Sequence, residues 1–352
     1  MPPDLRPTIA FAMGDPVGIS PELAAKLLSL EEVQAAAQLI VFGDRRVLDE
    51  GARVAGLSVD IETVSSADYV QPNRSAFVDL RNLGLDAVTP ATATEAGGRF
   101  ATDNFRRALQ LAQSGAADAV FFTPFNKKAM RLAYPGYDDE IRFINDVLGV
   151  KGPASEFNVL DNLWNARVTS HIPLSAVAAS ITGEKIARSL ALADASLRDA
   201  GFARPRIAVA GLNPHAGDGG NFGRQEIDII EPAVRRAIED GITVEGPFPA
   251  DTVFLRARSG AFDAVLTMYH DQGQIAMKLM GFDRGVTLIG GFPFPICTPA
   301  HGTAYDIAGQ GIANVGASRQ ALLLAARMAS RALAGRASEH QDRRGPQATA
   351  AE

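Results

Sequence analysis

The sequence predicts an α/β protein built on a largely parallel sheet. Short β-type runs alternate with longer helical patterns along the whole chain, the signature of strands and helices in alternating layers. The composition, 47% hydrophobic and 21% charged, suits a globular protein with substantial cores. At 352 residues the chain exceeds the roughly 250–300 at which one core stops growing, so two α/β units are expected.

The strand runs, in order, are TIAFAM (8–13), AQLIVFG (37–43), DAVFFTP (118–124), ARVTS (166–170), RIAVAGL (206–212) and DAVLTMY (263–269). Helical patterns cover 21–29, 97–114, 140–148, 184–199, 225–239 and 317–334. The first helix has entry chemistry: Ser20 as N-cap, Pro21 at the first helical position and Glu22 complementing the dipole. In 97–114, Phe105 and Leu109 share a face, and Gly115 supplies a left-handed stop. The polar stretch RASEHQDRRGPQATAAE (336–352) has no apolar periodicity and reads as a disordered tail.

A net charge of −6 with dispersed Lys and Arg gives no support to nucleic-acid binding. One cysteine, Cys297, allows no internal disulfide. The N-terminus lacks a signal-peptide core, and no run approaches the ~18 apolar residues of a membrane span. These features point to a cytoplasmic protein.

Three of the five histidines follow strand-like runs. His171 comes just after ARVTS, His215 three residues beyond RIAVAGL, and His270 just after DAVLTMY. In an open parallel sheet such positions face the ligand crevice, and three imidazoles can converge there on one divalent cation. The glycines of Asn213-Pro214-His215-Ala216-Gly217-Asp218-Gly219-Gly220 allow tight turns near a ligand, and Asp271 stands beside His270 as an orienting carboxylate. The spacings of 44 and 55 residues match no short metal motif, so roles as turn-capping or loop residues stay open on this reading.

The blocks GDPVGISPEL (14–23), SHIPL (170–174), GLNPHAGDGG (211–220), GPFPADTVF (246–254), MYHDQGQIAMK (268–278) and HGTAYDIAGQGIANVG (301–316) occur in order. Together they resemble the 4-hydroxythreonine-4-phosphate dehydrogenase (PdxA) family across about residues 7–334. The resemblance implies an isocitrate/isopropylmalate dehydrogenase-like fold of two α/β subdomains with a cleft between them. Residues 1–335 would form one catalytic unit, with the chain ends in one subdomain and the middle in the other. It implies a homodimer with its active site at the interface, and a hydroxy-acid substrate oxidised with NAD (or NADP) and a divalent metal. Zinc is the first expectation for that metal, magnesium or cobalt the alternatives.

By resemblance, His171, His215 and His270 are the metal ligands, Lys278 is the substrate-binding lysine and a catalytic candidate that holds an anionic substrate end or manages the proton, and Lys127 supplies positive charge to the cleft. His301, Gly302, Thr303, Ala304 and Asp306 would contact the nucleotide; no GxGxxG marks a Rossmann site. Asp251 and Asp271 are candidates to relay protons or orient imidazoles.

Three departures from the family fall at its substrate-binding segments. Gly-His-Thr-Glu is here Gly136-Tyr137-Asp138-Asp139, an asparagine is Thr287, and an arginine is Ile296. Losing the arginine removes a bidentate phosphate partner. Three readings follow: a dehydrogenase and decarboxylase like the family's type enzyme, a threonate or erythronate 4-phosphate or cis-dihydrodiol dicarboxylate dehydrogenase, or a metal-binding protein without catalysis. In the dihydrodiol reading, Phe292, Phe294 and Tyr137 would make the altered pocket more aromatic.

Overall fold

The computed structural model describes residues 6–342. The first residues of the N-terminus and positions 343–352 of the expected tail lie outside the described residues. The strands are β1 (Thr8–Ala12), β2 (Gln38–Gly43), β3 (Glu62–Val64), β4 (Ala76–Asp79), β5 (Ala119–Phe122), β6 (Ser155–Leu160), β7 (Leu163–Arg167), β8 (Ile207–Ala210), β9 (Val244–Phe248), β10 (Ala264–Thr267), β11 (Val286–Gly290) and β12 (Ile296–Pro299). The helices are α1 (Ser20–Leu28), α2 (Glu31–Ala36), α3 (Arg45–Ala55), α4 (Glu95–Gln113), α5 (Lys127–Ala133), α6 (Glu140–Leu148), α7 (Leu174–Ser180), α8 (Gly183–Ala200), α9 (Glu231–Glu239), α10 (Ala250–Arg258), α11 (His270–Gly281) and α12 (Gly316–Asp342).

All the strands join one sheet in the order β3-β4-β2-β1-β5-β12-β11-β6-β7-β10-β8-β9. Pairing is parallel except at the centre, where β12-β11, β11-β6 and β6-β7 are antiparallel. One half of the sheet is built from residues 8–122 plus β12, the other from β6 to β11, so the first and last strands of the described residues fall in the same half.

The two faces of the sheet are covered differently. On one face a single apolar core runs across both halves, from Phe11, Val41 and Phe121 through Leu288 and Phe157 to Trp164, Val209 and Leu266. Helix α12 seals the middle of that face with Leu322, Ala325 and Ala329. The opposite face carries two separate cores. Ala10, Phe42, Val120, Phe122 and Ile296 lie under α4 and α6, while Val265, Ala208 and Leu160 lie with Phe254 of α10 and Met277 of α11. Between those cores the alternating side chains turn polar: Thr298, Thr287, Glu156, Asn158, Asn165 and Arg167. This polar strip separates the two apolar cores of the face, and its buried members depend on hydrogen bonds among themselves.

Several sequence readings shift. Ser20 does not cap α1; it is the first helical residue, fully buried, and its Oγ donates to the Pro124 carbonyl at 2.7 Å, while Ile19 occupies the cap without a side-chain bond. Pro21 and Glu22 lie in the first turn as expected. ARVTS is displaced: β7 begins at Leu163, and its polar, inward-facing Asn165 and Arg167 hid it from an apolar reading. The tail expectation is corrected at its start. Helix α12 continues to Asp342, and Arg336 pairs with Asp118 at 3.0 Å. Its Arg, Ala, Glu and Gln residues favour helix, and Gly345-Pro346 comes only later.

Helix α5, which carries Lys127, is set by close approach to α4. A Cβ at Gly98 would lie 1.9 Å from the Ala129 carbonyl oxygen. Gly98→Ala should therefore lower stability by about 3 kcal/mol, read as a reduced urea midpoint with unchanged slope.

Candidate active site

β7, β10 and β8 are neighbours and parallel, so their C-terminal ends lie along one edge of the sheet. Each leads to one of the three histidines. His171 follows β7 by four residues, His270 opens α11 three residues after β10, and His215 lies five residues after β8.

His171 and His270 are brought together, with ring centroids 5.6 Å apart. His270 Nδ1 lies 2.6 Å from Asp271 Oδ1, so the carboxylate orients the ring and Nε2 is the nitrogen left for another partner. His215 does not join them; it is exposed, with its ring 6.0 Å from that of Phe222. Among the described residues no group of three or more His, Cys, Asp and Glu is close enough to hold a metal ion. The chemistry of the donor set still suits a borderline cation, with two adjacent imidazoles and one of them oriented by a carboxylate.

His171 has φ of 49° and His215 of 54°, left-handed conformations that cost a non-glycine residue energy and persist only where surroundings enforce them. The His215 loop is tied down by Glu226, which is 1% exposed. Its Oε1 accepts from the backbone N–H groups of Leu212 and Asn213, both at 2.7 Å, and Oε2 from Asn213 Nδ2 at 2.9 Å. Gln272 links the ends of β10 and β8: its Oε1 accepts from Met268 N and its Nε2 donates to the Gly211 carbonyl.

On α11, positions 270, 274 and 278 share one face. Gln274 Nε2 donates to Asn158 Oδ1 at 2.8 Å, which turns this face toward the polar strip. Lys278 is exposed, its ammonium 5.8 Å from the centre of the Phe282 ring. Asp251 stands exposed in the first turn of α10.

Across the strip, Arg167 has 2% of its side chain exposed. Its Nη2 donates to Glu156 Oε2 at 2.7 Å and its Nη1 to Asn158 Oδ1 at 3.0 Å. Burial lowers the Arg167 pKa and Glu156 opposes the shift. From the other half of the sheet, Lys127 meets Glu140 at 3.0 Å. Burial works against the Lys127 charge, but Glu140, then Glu156 and Asp139, hold its pKa above the ordinary lysine value.

Tyr137 is 1% exposed and packs against Phe143, with ring centroids 6.2 Å apart. Its hydroxyl lies beside the Glu140 carboxylate without completing a hydrogen bond, and burial, then Glu140, push its pKa far up. Asp138 points away, exposed and paired with Arg142 at 2.6 Å, and Asp139 caps α6. Thr287 lies opposite Asn158 in the sheet, at the strip. Ile296 is corrected: it is fully buried between Val120 and Ile289, within the core that also holds Phe294, and lines no open surface. The neighbouring strand fills its surroundings with apolar side chains.

The expected nucleotide loop packs on the turn before α1. Ile19 N donates to the Thr303 carbonyl at 3.0 Å, and Tyr305 donates to Asp15 Oδ2 at 2.8 Å. Asp15 is buried, which raises its pKa against the Tyr305 hydrogen bond. Gly302 and Asp306 are exposed, and Ala304 has φ of 42°. His301 Nδ1 lies 3.1 Å from the Gly302 carbonyl, and its Nε2 is buried without a partner. Burial lowers its pKa, so Nε2 is an unused acceptor at neutral pH.

Residues 35–325 match the family model described as "Pyridoxal phosphate biosynthetic protein PdxA". The chain belongs to the PdxA family. It is 65% identical over 328 residues to "Putative 4-hydroxythreonine-4-phosphate dehydrogenase 2" of Rhizobium meliloti, covering 93% of this chain and 94% of the relative. Among solved structures, a 4-hydroxythreonine-4-phosphate dehydrogenase from Klebsiella pneumoniae superposes with a TM-score of 0.81 at 33% identity, covering 93% of this chain and 99% of that one. A terephthalate 1,2-cis-dihydrodiol dehydrogenase from Burkholderia xenovorans LB400 gives 0.61 at 30% identity, covering 89% and 98%. The two-subdomain α/β fold is thus that of the PdxA family, whose named relatives here are dehydrogenases. Among the described residues no helix is long and apolar enough to cross a membrane.

Glu140, Glu156, Asn158, Arg167, Gln274 and Glu226 were not singled out in the sequence. The available signal was polar residues at alternate positions of otherwise apolar β6 and β7, a pattern that marks a strand facing a cleft on one side.

Proposed function

We propose that this chain is an NAD-dependent oxidoreductase that oxidises the secondary alcohol of a hydroxy acid, with loss of CO₂ where the product is a β-keto acid, and that it works as a homodimer with a divalent metal. The observation that carries the reading is the delivery of three histidines by three adjacent parallel strand ends, in a chain whose relatives are dehydrogenases. His171 and His270 would hold the metal, with His215 or a donor from the second copy completing the set. Ile275, Leu279 and Phe282, exposed on and just beyond α11, give that copy an apolar surface next to His270.

When bound, the metal would supply polarisation of the substrate hydroxyl and the nicotinamide would supply the hydride acceptor. Asp271 orients the His270 ring, Lys278 offers a cation to an anionic substrate end or a proton during turnover, and His301 Nε2 offers an acceptor to the adenine amine. Asp251 and Asp306 are exposed and would act at the rim of the cleft.

The two cations of the strip are already matched by carboxylates, Lys127 by Glu140 and Arg167 by Glu156, so a second anionic group of the substrate, phosphate or carboxylate, would look to Lys278 instead. A panel of phosphorylated hydroxy acids, sugar acids and cis-dihydrodiol dicarboxylates, followed by NADH absorbance before and after chelation, tests the proposal. Turnover with NAD that disappears on metal removal and returns with zinc, cobalt or magnesium is expected. Undiminished turnover by metal-stripped protein would refute the metal role, and failure of NAD to bind would refute the dehydrogenase.

A further inference from the structure

We infer that Lys26 and Glu22 of α1 are positioning residues for the nucleotide, because they hold the 301–315 loop in its binding shape before any nucleotide arrives. This rests on the reading above of residues 301–306 as the nucleotide-binding segment. Residues 301–315 form neither helix nor strand, so no ladder of their own fixes their path. The bonds come instead from α1 and the turn before it. At the near end of the loop, the Thr303 carbonyl accepts from Ile19 N and Tyr305 donates to Asp15. At the far end, the Lys26 ammonium donates to three oxygens: Ala313 O at 2.7 Å, Gly311 O at 3.2 Å and Glu22 Oε1 at 2.7 Å. That uses all its N–H groups. The same Glu22 oxygen accepts from Ala313 N at 2.8 Å. Glu22 is 2% exposed and the Lys26 side chain 20%, so little water competes for these bonds.

The loop does not take this path by default. Ala304 is held at a positive φ, and Gly311, at φ of 76°, lies where a Cβ would meet the Val54 carbonyl of α3 at 2.7 Å. Such a backbone persists only while its surroundings enforce it. An ion pair this enclosed adds little net stability over apolar side chains of the same size, since desolvation offsets its attraction. What it does specify is where the Gly311 and Ala313 carbonyls point. Without the clamp the loop divides its time among several shapes. The apparent affinity for NAD then falls in proportion to the fraction still in the binding shape.

Lys26→Met keeps the aliphatic stem and removes the ammonium. In isothermal titration of the full-length protein with zinc present, its Kd for NAD is expected to rise about tenfold, with zinc affinity unchanged. In turnover, KM for NAD should rise in step while kcat changes less than about twofold. Hydrogen exchange adds a readout that a purely structural role would not move. Without NAD, residues 301–315 of the variant should exchange faster than in the unmodified protein, and saturating NAD should restore their protection. Lys26→Met leaves Glu22 a buried, unpaired charge, so Glu22→Gln combined with Lys26→Met is measured beside it. That double variant keeps an acceptor for Ala313 N and should show the same rise in Kd at a melting temperature close to that of the unmodified protein. An unchanged Kd in both variants overturns the inference and leaves the dehydrogenase standing. So does a raised Kd with unaltered exchange in 301–315, or a kcat that collapses along with NAD affinity. Failure of the unmodified protein to bind NAD refutes the dehydrogenase reading, and the inference with it.

Discussion

His270→Ala is expected to lose at least about a hundredfold in kcat/KM, since even residues that only orient a metal ligand cost 10–100-fold when removed. His270 opens α11, its ring is adjacent to that of His171, and its Nδ1 is engaged by Asp271, so the free Nε2 is the donor lost. The side chain is more than one-third exposed and anchors no core, which makes a fall in folding stability small. Zinc uptake by the purified protein should drop in parallel, and excess zinc or cobalt should not rescue the rate. Asp271→Asn keeps the hydrogen-bonding shape but removes the charge that orients the imidazole. Its loss should be about tenfold, mainly in kcat. If His270→Ala retains full metal-dependent turnover, the histidine edge is not the reaction centre.

The histidine edge was legible in the sequence because the strands that deliver it are apolar runs ending in short, distinctive loops. DAVLTMY and RIAVAGL are buried on both faces at β10 and β8, so their hydrophobicity announces them and their ends locate His270 and His215. The polar strip was not legible for the converse reason. β6 and β7 are buried too, but Glu156, Asn158, Asn165 and Arg167 interrupt their apolar pattern, and only the sheet order shows that these residues share a face. Ile296 was misplaced because a position aligned with a ligand-binding residue need not keep an open side once its neighbours Val120 and Ile289 pack over it. Glu140 was overlooked beside Asp138 and Asp139. Three successive acidic residues look alike in sequence, yet one pairs with Arg142, one caps α6, and only the third turns inward to Lys127.

The second large effect is expected at Glu226, which holds the loop that carries His215. The loop after β8 holds His215, Ala216, Gly217, Asp218 and Gly219 all at positive φ, three of them non-glycine. Each such residue stores of order 1–2 kcal/mol, so the loop keeps this shape only while something outside it enforces the turn. Glu226 is that constraint: one buried carboxylate oxygen collects two backbone N–H groups at the loop entrance and the other takes the Asn213 amide. Glu226→Ala strands these donors in a buried setting, at about 1–3 kcal/mol per group, and removes the buried carboxylate that holds the loop in its strained shape. We expect about 3 kcal/mol of lost stability, faster hydrogen exchange confined to residues 211–223, and about a hundredfold lower kcat/KM if His215 takes part in catalysis. Glu226→Gln keeps one acceptor oxygen and should recover part of the stability. Its activity then separates two roles for the loop. Recovery of kcat together with stability means that the turn's shape positions His215, whereas a rate that stays low in the stable variant means that the carboxylate's charge is itself required.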